Sequence, residues 1–378
     1  SKNLNVPPLR FPEFTEEWKA EQLDNIATLS KGIGISKEQL SEDGEPCILY
    51  GELYTKYKSE IIKQVESKTD INGSKLKRSK ANDVIIPCSG ETAVDIATAR
   101  CVPFDNILFG GDLNVISLHQ YDGAFMSYQL NGKRKYDIAR VAQGVSIVHL
   151  YGEHLKAIKT YNPTLPEQQK IAKLLSLLDD RIDTQNKIIE DLKKLKSAIS
   201  ERLFKSVKGF TVLLSDLCDI VKGKQINGEN LSDSGNYYVM NGGTEPSGYY
   251  DNYNVEASTI SISEGGNSCG YVQFNTSPFW SGGHCYSIQN IADKVDNMYL
   301  YHYLKSNEDA IMKLRIGSGL PNIQKKDLAM FKIIVPKIEW QIKISTFLSS
   351  LERKAEIEER IQNVMQKQKL YLLQQMFI

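Results

Sequence analysis

Two stretches of the chain carry the apolar pattern of a long helix. In residues 163–206 apolar side chains recur at steps of four and three, as at the a and d positions of a heptad, and residues 337–378 repeat this pattern. Helices of about 38 residues would each be about 57 Å long at 1.5 Å per residue, which favours a coiled-coil pair over separate core helices. The predicted helix-pairing residues are Ile171, Leu175, Leu178, Ile182, Leu192, Ile199, Ile344, Leu348, Leu351, Met365, Leu372 and Met376.

Polar residues interrupt both series at equivalent places. Gln185 and Lys196 in the first stretch correspond to Glu358 and Lys369 in the second. A polar residue at a pairing position fixes the register of two helices at some cost in stability. We therefore expect that leucine in place of Gln185 and Glu358 stabilises the pair and loosens its register.

The two helical stretches belong to a longer repeat. Residues 165–182 and 338–355 align without a gap at an offset of 173, and Gly110-Gly111 is answered by Gly282-Gly283. The segments 50–80 and 236–256, which lie inside the two copies, barely match. A shared frame with different inner loops is what a molecule that reads two targets on one scaffold requires.

The region before each helical stretch has the short apolar runs and turn-forming residues of a compact α/β module. Short apolar runs alternate with Gly, Asn, Asp and Pro, and Trp18 to Leu29 has the apolar spacing of one short helix. In the first module the runs that predict strands are 47–50, 84–86, 107–109 and 115–118. The predicted divisions of the chain are 1–162, 163–206, 207–336 and 337–378.

The composition limits the class of protein but does not indicate a binding partner. The chain has 378 residues, 41% of them hydrophobic, and a formal net charge of zero, so only local clusters could indicate nucleic-acid binding. No apolar run approaches the roughly 18 residues of a membrane span. The six cysteines are far apart and form no CxxC motif, which predicts free thiols in a cytoplasmic protein and argues against zinc.

Catalytic signatures are missing from the sequence. His149 and His154 flank a segment one residue too long for an HxxEH zinc motif, and Gly32-Ile-Gly34 lacks the third glycine of a dinucleotide loop. Ser277-Pro278-Phe279-Trp280 lacks the second proline of the loop that amino-methyltransferases use. We predict no catalytic residues, no metal site and no cofactor in this chain, and we interpret it as a binding protein.

Clustered Lys and Arg in the first module, and Asn, Ser and Tyr beside glycines in the second, are suited to phosphates and base edges. The alternative for each cluster is a solvated loop or a plain turn. The predicted DNA-binding residues are Lys31, Tyr50, Lys75, Lys77, Arg78, Lys80, Ser89, Lys133, Arg134, Lys135, Lys222, Lys224, Asn241, Thr244, Tyr249, Ser263, Asn267 and His284.

The chain resembles the DNA-specificity subunit of type I restriction–modification enzymes over its whole length. The resemblance rests on PLRFPEF (8–14) with Trp18, and on EQQKI (167–171), which is WQIKI (340–344) in the second copy. It implies an α+β fold: two mixed α/β target-recognition domains joined by two long antiparallel coiled-coil helices, with pseudo-two-fold symmetry. Each domain would read one half of a split DNA sequence.

The resemblance also implies partners: double-stranded DNA, two methyltransferase subunits that use S-adenosylmethionine, and motor-nuclease subunits that use ATP and magnesium. The helices would act as a ruler, since one heptad of about 10 Å corresponds to about three base pairs. Two other hypotheses stay open at this point. A stand-alone DNA methyltransferase would bind S-adenosylmethionine itself, and a coiled-coil adhesion or receptor-binding protein would show no affinity for DNA.

Overall fold

The computed structural model describes residues 5–317, 319 and 321–378 as an α+β protein. The chain forms two compact units: Ser1–Asn186 with Arg360–Ile378, and Lys187–Glu359. Each unit holds one turn-rich module together with part of both long helices, α7 (Leu165–Ser206) and α11 (Ile338–Gln375). The predicted α+β class with two mixed modules and two long helices is confirmed.

The first unit contains thirteen strands among its described residues. They are β1 (Lys19–Gln22), β2 (Ala27–Lys31), β3 (Leu40–Ser41), β4 (Glu45–Ile48), β5 (Lys68–Thr69), β6 (Lys77–Arg78), β7 (Asp83–Pro87), β8 (Ser89–Gly90), β9 (Arg100–Val102), β10 (Leu108–Phe109), β11 (Leu113–Leu118), β12 (Val148–His149) and β13 (Lys159–Asn162). Its shorter helices are α1 (Leu23–Ile26), α2 (Glu52–Thr55), α3 (Ala93–Ile96), α4 (Gly123–Asn131), α5 (Lys135–Val141) and α6 (Gly152–Lys156), with 3₁₀ turns at Lys37–Gln39 and Gly73–Lys75.

The second unit repeats much of this order in fewer elements. Its strands are β14 (Phe210–Leu213), β15 (Asp219–Lys222), β16 (Tyr237–Met240), β17 (Tyr249–Tyr250), β18 (Thr259–Ser263), β19 (Val272–Asn275), β20 (Trp280–Ser281), β21 (Cys285–Gln289) and β22 (Lys332–Val335). Its shorter helices are α8 (Asn297–Ser306), α9 (Glu308–Met312) and α10 (Lys325–Ala329), with 3₁₀ turns at Leu214–Asp216 and Gly228–Asn230.

The central sheet has the same topology in both units. Its strand order is β2-β11-β7-β9 in the first and β15-β21-β18-β19 in the second, with antiparallel neighbours throughout. A two-stranded ladder leads into each long helix. The ladder β1-β13 leads into α7, and the ladder β14-β22 leads into α11. Both units also contain one parallel pair, β4-β10 and β16-β20. The repeated sequence therefore encodes a repeated strand topology.

Buried side chains explain why the central strands form where they do. In β7, Val84 and Ile86 pack into one apolar cluster and Ile85 into another, because alternate residues of a strand face opposite sides of its sheet. In the second unit, Ile260 and Ile262 of β18 belong to one core that also includes apolar residues of α7 and α11. The sheet and the long helices are thus stabilised by the same buried surface.

The helix predicted from Trp18 to Leu29 is wrong. Only Leu23–Ile26 forms a helical turn, between strand β1 and strand β2. The apolar spacing that fitted a helix also suits two short strands on either side of a turn, and pairing with β13 and β11 decides in favour of strands. The strand predicted for 47–50 similarly ends at Ile48.

The long helices pack antiparallel within each unit. In the first unit, Ile171 and Leu175 at the start of α7 share a core with Leu373 near the end of α11 and with Phe377 just after it. In the second unit, Phe204, near the end of α7, shares a core with residues from the start of α11. Of the predicted helix-pairing residues, Ile171, Leu175, Ile344, Leu348 and Met376 are buried, and Leu178, Ile182, Leu192, Ile199, Leu351, Met365 and Leu372 are half-buried.

A glutamine ties each long helix to the module before it. The side-chain oxygen of Gln168 accepts the N–H of Asp122, which caps α4, at 2.9 Å. Gln341 accepts the N–H of Asp296, the cap of α8, at 2.8 Å. Each glutamine also donates to the carbonyl oxygen of the proline five residues before it, at 2.8 Å. This contact accounts for the glutamine that the two helix starts have in common.

The neighbouring position differs between the copies for a local reason. Glu167 is buried and accepts two hydrogen bonds from the Arg10 guanidinium, both 2.7 Å long, and one from the Trp18 indole at 3.3 Å. The second copy has Trp340 at this position, and that side chain is 58% exposed. The first helix start therefore anchors the segment around Arg10.

Candidate nucleic-acid interface

The same strand junction occurs separately in each of the two central sheets. Lys31 ends β2 and Lys222 ends β15, and a glycine follows each lysine. The N–H of Gly32 and that of Gly223 each donate to the adjacent strand, β11 or β21, at 2.9 Å. Both lysine side chains are exposed. The junction therefore presents a cation at the same place in each unit.

A close backbone crossing explains the glycine at this junction. A Cβ atom on Gly32 would lie 1.9 Å from the carbonyl oxygen of Gly110, and one on Gly223 would lie 2.2 Å from that of Gly282. No side chain fits at such distances, so only glycine is compatible with the crossing. At each crossing, the backbone segment that faces this glycine is one of the two Gly-Gly pairs that the sequence repeats.

In the first unit, aromatic side chains surround the junction. The Lys31 ammonium lies 5.7 Å from the ring centre of Tyr151, and that ring stacks 6.3 Å from His149. His149 Nδ1 is 3.3 Å from the Ser89 hydroxyl, and the Tyr54 hydroxyl donates to the Ser89 carbonyl oxygen at 3.0 Å. The structure thus brings Lys31 and Ser89 together through residues that were not in the predicted set.

The sequence did contain a signal for two of these missed residues. His149 and Tyr151 are exposed and flank the buried Leu150, which is the alternation of a strand edge. The predicted residue Tyr50 lies just before α2, the helix that carries Tyr54, and is 38% exposed.

In the second unit, a carboxylate occupies the junction. Glu264 is 7% exposed, and its side chain lies 2.5 Å from the Lys222 ammonium. The other oxygen is 3.5 Å from His284 Nδ1, and the Tyr286 hydroxyl lies 3.3 Å from the first. Burial, together with this carboxylate, raises the pKa of Tyr286 above its usual range, so the phenol keeps its proton. A carboxylate beside Lys222 thus replaces the aromatic ring beside Lys31.

The segments 89–91 and 263–265 look alike in the sequence, but the strand register does not align them. Pro87 pairs with Leu113, and Ser263 pairs with the equivalent residue Cys285, so Glu264 corresponds to Cys88. The carbonyl oxygens of Cys88 and Glu264 both accept an N–H from the segment leading to α6 or α10, at 2.8 Å. Isolated serines align in several ways, whereas backbone pairing allows one.

Three other predicted residues of the second unit meet at its junction. Asn241 accepts the backbone N–H of His284 at 3.0 Å through its side-chain oxygen. The Ser263 hydroxyl donates to the Gly242 carbonyl oxygen at 2.7 Å, and the Lys224 carbonyl oxygen accepts the Trp280 indole N–H at 2.9 Å. These contacts hold the segments around Lys224, Asn241 and His284 against one another.

The remaining predicted residues of this unit lie farther along the loops. Thr244 and Asn267 are exposed in turns. Tyr249 is half-buried in β17, where it pairs with Tyr238. No contact described for these three residues joins them to Glu264, and their DNA-binding role stays a prediction.

The basic run at 75–80 lies at the edge of a sheet. Lys77 and Arg78 form β6, which pairs with β10, and β10 leads directly into the Gly110 crossing. The Arg78 guanidinium makes two hydrogen bonds to Glu45, of 2.6 and 3.0 Å, whereas Lys75 and Lys80 are exposed. Arg78 therefore has a structural partner, and the two lysines are the freer cations.

The basic run at 133–135 has a different setting. The Arg134 guanidinium lies 3.2 Å from the Asp137 carboxylate, donates to the Ile378 carbonyl oxygen at 3.1 Å, and lies 5.4 Å from the Tyr161 ring centre. Lys133 is exposed and Lys135 half-buried. These contacts give Arg134 a role in fixing the end of α11, and a DNA contact by this run stays a prediction.

A reciprocal pair of backbone hydrogen bonds lies beside each junction. Backbone N–H and C=O groups pair reciprocally between Gln143 and His149 in the first unit, and between Ile316 and Asn322 in the second. These residues are 173 positions apart in the sequence. Val145, which lies between Gln143 and His149 in the sequence, is 98% exposed.

The part of the chain that the structure describes contains no group of three or more His, Cys, Asp or Glu residues placed to hold a metal ion. All six cysteines are buried and free. Burial raises the pKa of several of them, to about 12 for Cys101, so these thiols stay protonated and unreactive at neutral pH. No helix within the described ranges has the length and apolar character to cross a membrane.

Comparison with known proteins identifies the class. Residues 15–194 and 209–367 match the family described as type I restriction modification DNA specificity domain, so two copies cover most of the chain. The chain therefore belongs to this family.

Individual relatives agree with this assignment. The type I restriction enzyme MjaVIII specificity subunit of Methanocaldococcus jannaschii is 24% identical over 97% of this chain and 94% of its own. A candidate type I specificity subunit of Mycoplasma genitalium is 34% identical, but the match spans only 32% of this chain and 31% of that relative.

Among solved structures, the S subunit of a type I restriction–modification system from M. genitalium superposes with a TM-score of 0.70 at 20% identity, covering 99% of both chains. A structure described as the basis of complex assembly and conformational transition of the type I R-M system has a TM-score of 0.59 at 16% identity, covering 97% of this chain and 98% of its own. At these identities the likeness establishes the fold alone.

Proposed function

We propose that this chain is a non-catalytic specificity subunit that recognises a split DNA sequence, with one half read by each module. The observation that carries the proposal is the shared junction: Lys31 and Lys222 occupy equivalent positions in the two sheets, while the groups around them differ. A common frame is suited to a common ligand, the DNA backbone. Differing side chains are suited to different base sequences.

The chemistry of the two junctions supports different readings of the bases. An exposed lysine neutralises phosphate without selecting a sequence. In the second module, the buried Glu264 holds the exposed imidazole of His284 at the junction, and that imidazole would reach a base edge. In the first module, His149 and Tyr151 supply aromatic faces and one imidazole. Each good base contact discriminates by about 1–3 kcal/mol.

The long helices would set the gap between the half-sites, because both modules are attached to them. We propose that two methyltransferase subunits and the motor-nuclease subunits assemble on this chain. S-adenosylmethionine would then belong to the methyltransferase subunits, and ATP and magnesium to the motor. The family match and the relative described in terms of complex assembly support this proposal.

The test is expression of this chain with its cognate methyltransferase in a host that lacks other adenine methylation, followed by long-read methylome sequencing. We expect one methylated motif with two different halves and a fixed gap. A continuous motif, or methylation that does not depend on this chain, would contradict the proposal. Binding of S-adenosylmethionine by the isolated chain would favour the stand-alone methyltransferase instead.

A further inference from the structure

A triad of tyrosine, carboxylate and lysine occurs in each unit, with a buried ion pair in the first unit and a half-buried one in the second. Its members come from three elements: a short helix of the module and both long helices. Corresponding members are 173 positions apart in the sequence: Tyr128 and Tyr301, Asp179 and Glu352, Lys196 and Lys369.

In the first unit, the triad joins α4, α7 and α11. The Tyr128 hydroxyl donates to Asp179 at 2.6 Å, and the Lys369 ammonium lies 2.7 Å from the other Asp179 oxygen. Lys369 also lies 2.6 Å from Glu60 of the module. The three charged side chains are at most 17% exposed. The lysine at a helix-pairing position therefore holds a module residue as well as the facing helix.

In the second unit, the triad joins α8, α11 and α7. The Tyr301 hydroxyl donates to Glu352 at 3.1 Å, and the Lys196 ammonium lies 2.6 Å from the same oxygen. His302, next to Tyr301, is 2.8 Å from the Ser349 hydroxyl and adds a second link between α8 and α11. The lysine now comes from α7 and the carboxylate from α11, the reverse of the first unit.

Burial makes each triad sensitive to displacement. Burial and then the neighbouring Asp179 raise the pKa of Tyr128, and Tyr301 responds likewise to burial and Glu352, so both phenols stay protonated and donate. For Lys369, burial lowers the pKa, but the carboxylates of Glu60 and Asp179 outweigh it and the net pKa is raised, so the lysine stays charged. A sliding movement of one helix by a turn would leave these charges buried without partners.

We propose that Lys196 and Lys369, with the tyrosine and carboxylate that each lysine engages, are positioning residues that fix each recognition module on the helix pair and thereby fix the gap between the two DNA half-sites. This inference rests on the proposed function, and it assigns to these residues no contact with bases. They would act on the spacing of the target and leave the sequence of both halves unchanged.

The test compares Lys196→Met with Lys369→Met, singly and together, in the methylome assay, where the full chain is expressed with its methyltransferase. Methionine keeps most of the apolar stem and removes the charge. The matched controls are Lys194→Met and Lys367→Met, a second repeat pair that is exposed on the same helices. Thermal unfolding of each purified complex shows whether the variant folds.

We expect both half-sites to be kept in the double variant, while methylation at sites with a gap one base pair longer or shorter rises at least about tenfold relative to the native gap. The control variants should keep the native gap. A folded double variant that methylates only the native gap would overturn the inference. A wild-type chain without a bipartite motif would instead overturn the proposed function.

If the lysine variants fail to fold, Tyr128→Phe with Tyr301→Phe decides the question. This pair keeps both rings and both lysine–carboxylate contacts and removes only two hydroxyl groups. We expect a smaller relaxation of the gap, about threefold, with intact half-sites. Unchanged gap selectivity in this folded variant would contradict the positioning role.

Discussion

The two strand junctions have the same backbone geometry but different side chains around their lysines. In the first, Lys31 faces aromatic side chains, and in the second, Lys222 is paired with the buried carboxylate of Glu264. Both lysines precede a glycine that meets the backbone of a Gly-Gly segment. The repeat therefore keeps the backbone geometry of the junction, while the side chains around it differ between the two copies. A split DNA target requires both properties.

The largest effect should come from the junction glycines. Gly32→Val and Gly223→Val would each force a side chain into a backbone carbonyl oxygen, so we expect each to lower the free energy of unfolding by about 3 kcal/mol or more. Urea unfolding of the purified chain measures this. Gly34→Ala and Gly228→Ala are controls, because a Cβ at either position meets no atom within 4 Å. Equal effects for test and control variants would refute the shared crossing.

A difference between the units predicts a pH dependence. His302 is buried, which lowers its pKa to about 4, whereas the equivalent residue of the first unit is Gln129. As pH falls from 6.5 to 4, the unfolded chain takes up a proton at this residue before the folded chain does. The folded state should therefore lose about 3 kcal/mol of stability over that interval through His302.

The variant His302→Gln makes the second unit like the first at this position. We expect the difference in unfolding free energy between wild type and variant to change by about 3 kcal/mol between pH 6.5 and pH 4. Thermal or urea unfolding at a series of pH values measures it. A constant difference across the interval would show that folding does not shift the pKa of His302.

The charges at the junctions should act on affinity without changing the sequence read. Lys31→Met removes a phosphate contact in the first half-site, and we expect binding to weaken by about 1 kcal/mol and the salt dependence to become shallower by about one unit of slope. Fluorescence anisotropy with the wild-type target at several salt concentrations measures both. An altered base preference with unchanged salt dependence would assign Lys31 to base reading instead.

The smallest effect should come from the matched polar pair in the helices. Gln185→Leu and Glu358→Leu each place apolar surface at a helix-pairing position, one in each unit. We expect each to raise the free energy of unfolding by about 1 kcal/mol. Urea unfolding of the two variants measures it. A loss of stability in either variant would show that its polar contacts contribute more than the apolar surface gained.

The helices could be predicted from the sequence because their pairing follows a simple period. The stripe from Ile171 to Ile199 is the least exposed face of α7, and a step of four and three is enough to find it. The resemblance to a known family supplied the antiparallel order. Only part of each triad could be predicted from the sequence. Lys196 and Lys369 interrupt the apolar pattern of the helices, but their carboxylate and tyrosine partners lie on other elements.

The junctions could not be predicted to the same depth. Their residues come from segments far apart in the chain, and the pairing of β2 with β11 or of β15 with β21 decides which side chains meet. Sequence patterns therefore found Lys31 and Lys222 but missed Tyr151 and Glu264 as their neighbours. The burial of Glu264 against Lys222 depends on tertiary structure.

The central claim is that each junction reads its own half of the target, and methylome sequencing of wild type beside Glu264→Gln tests it most directly. The substitution keeps the size of the side chain and removes the buried charge that holds the exposed Lys222 and His284 side chains at the junction. We predict that the wild type methylates a bipartite motif and that the variant alters base preference in one half alone, with the other half and the gap unchanged. A change in both halves, or a motif identical to the wild type, would contradict the account.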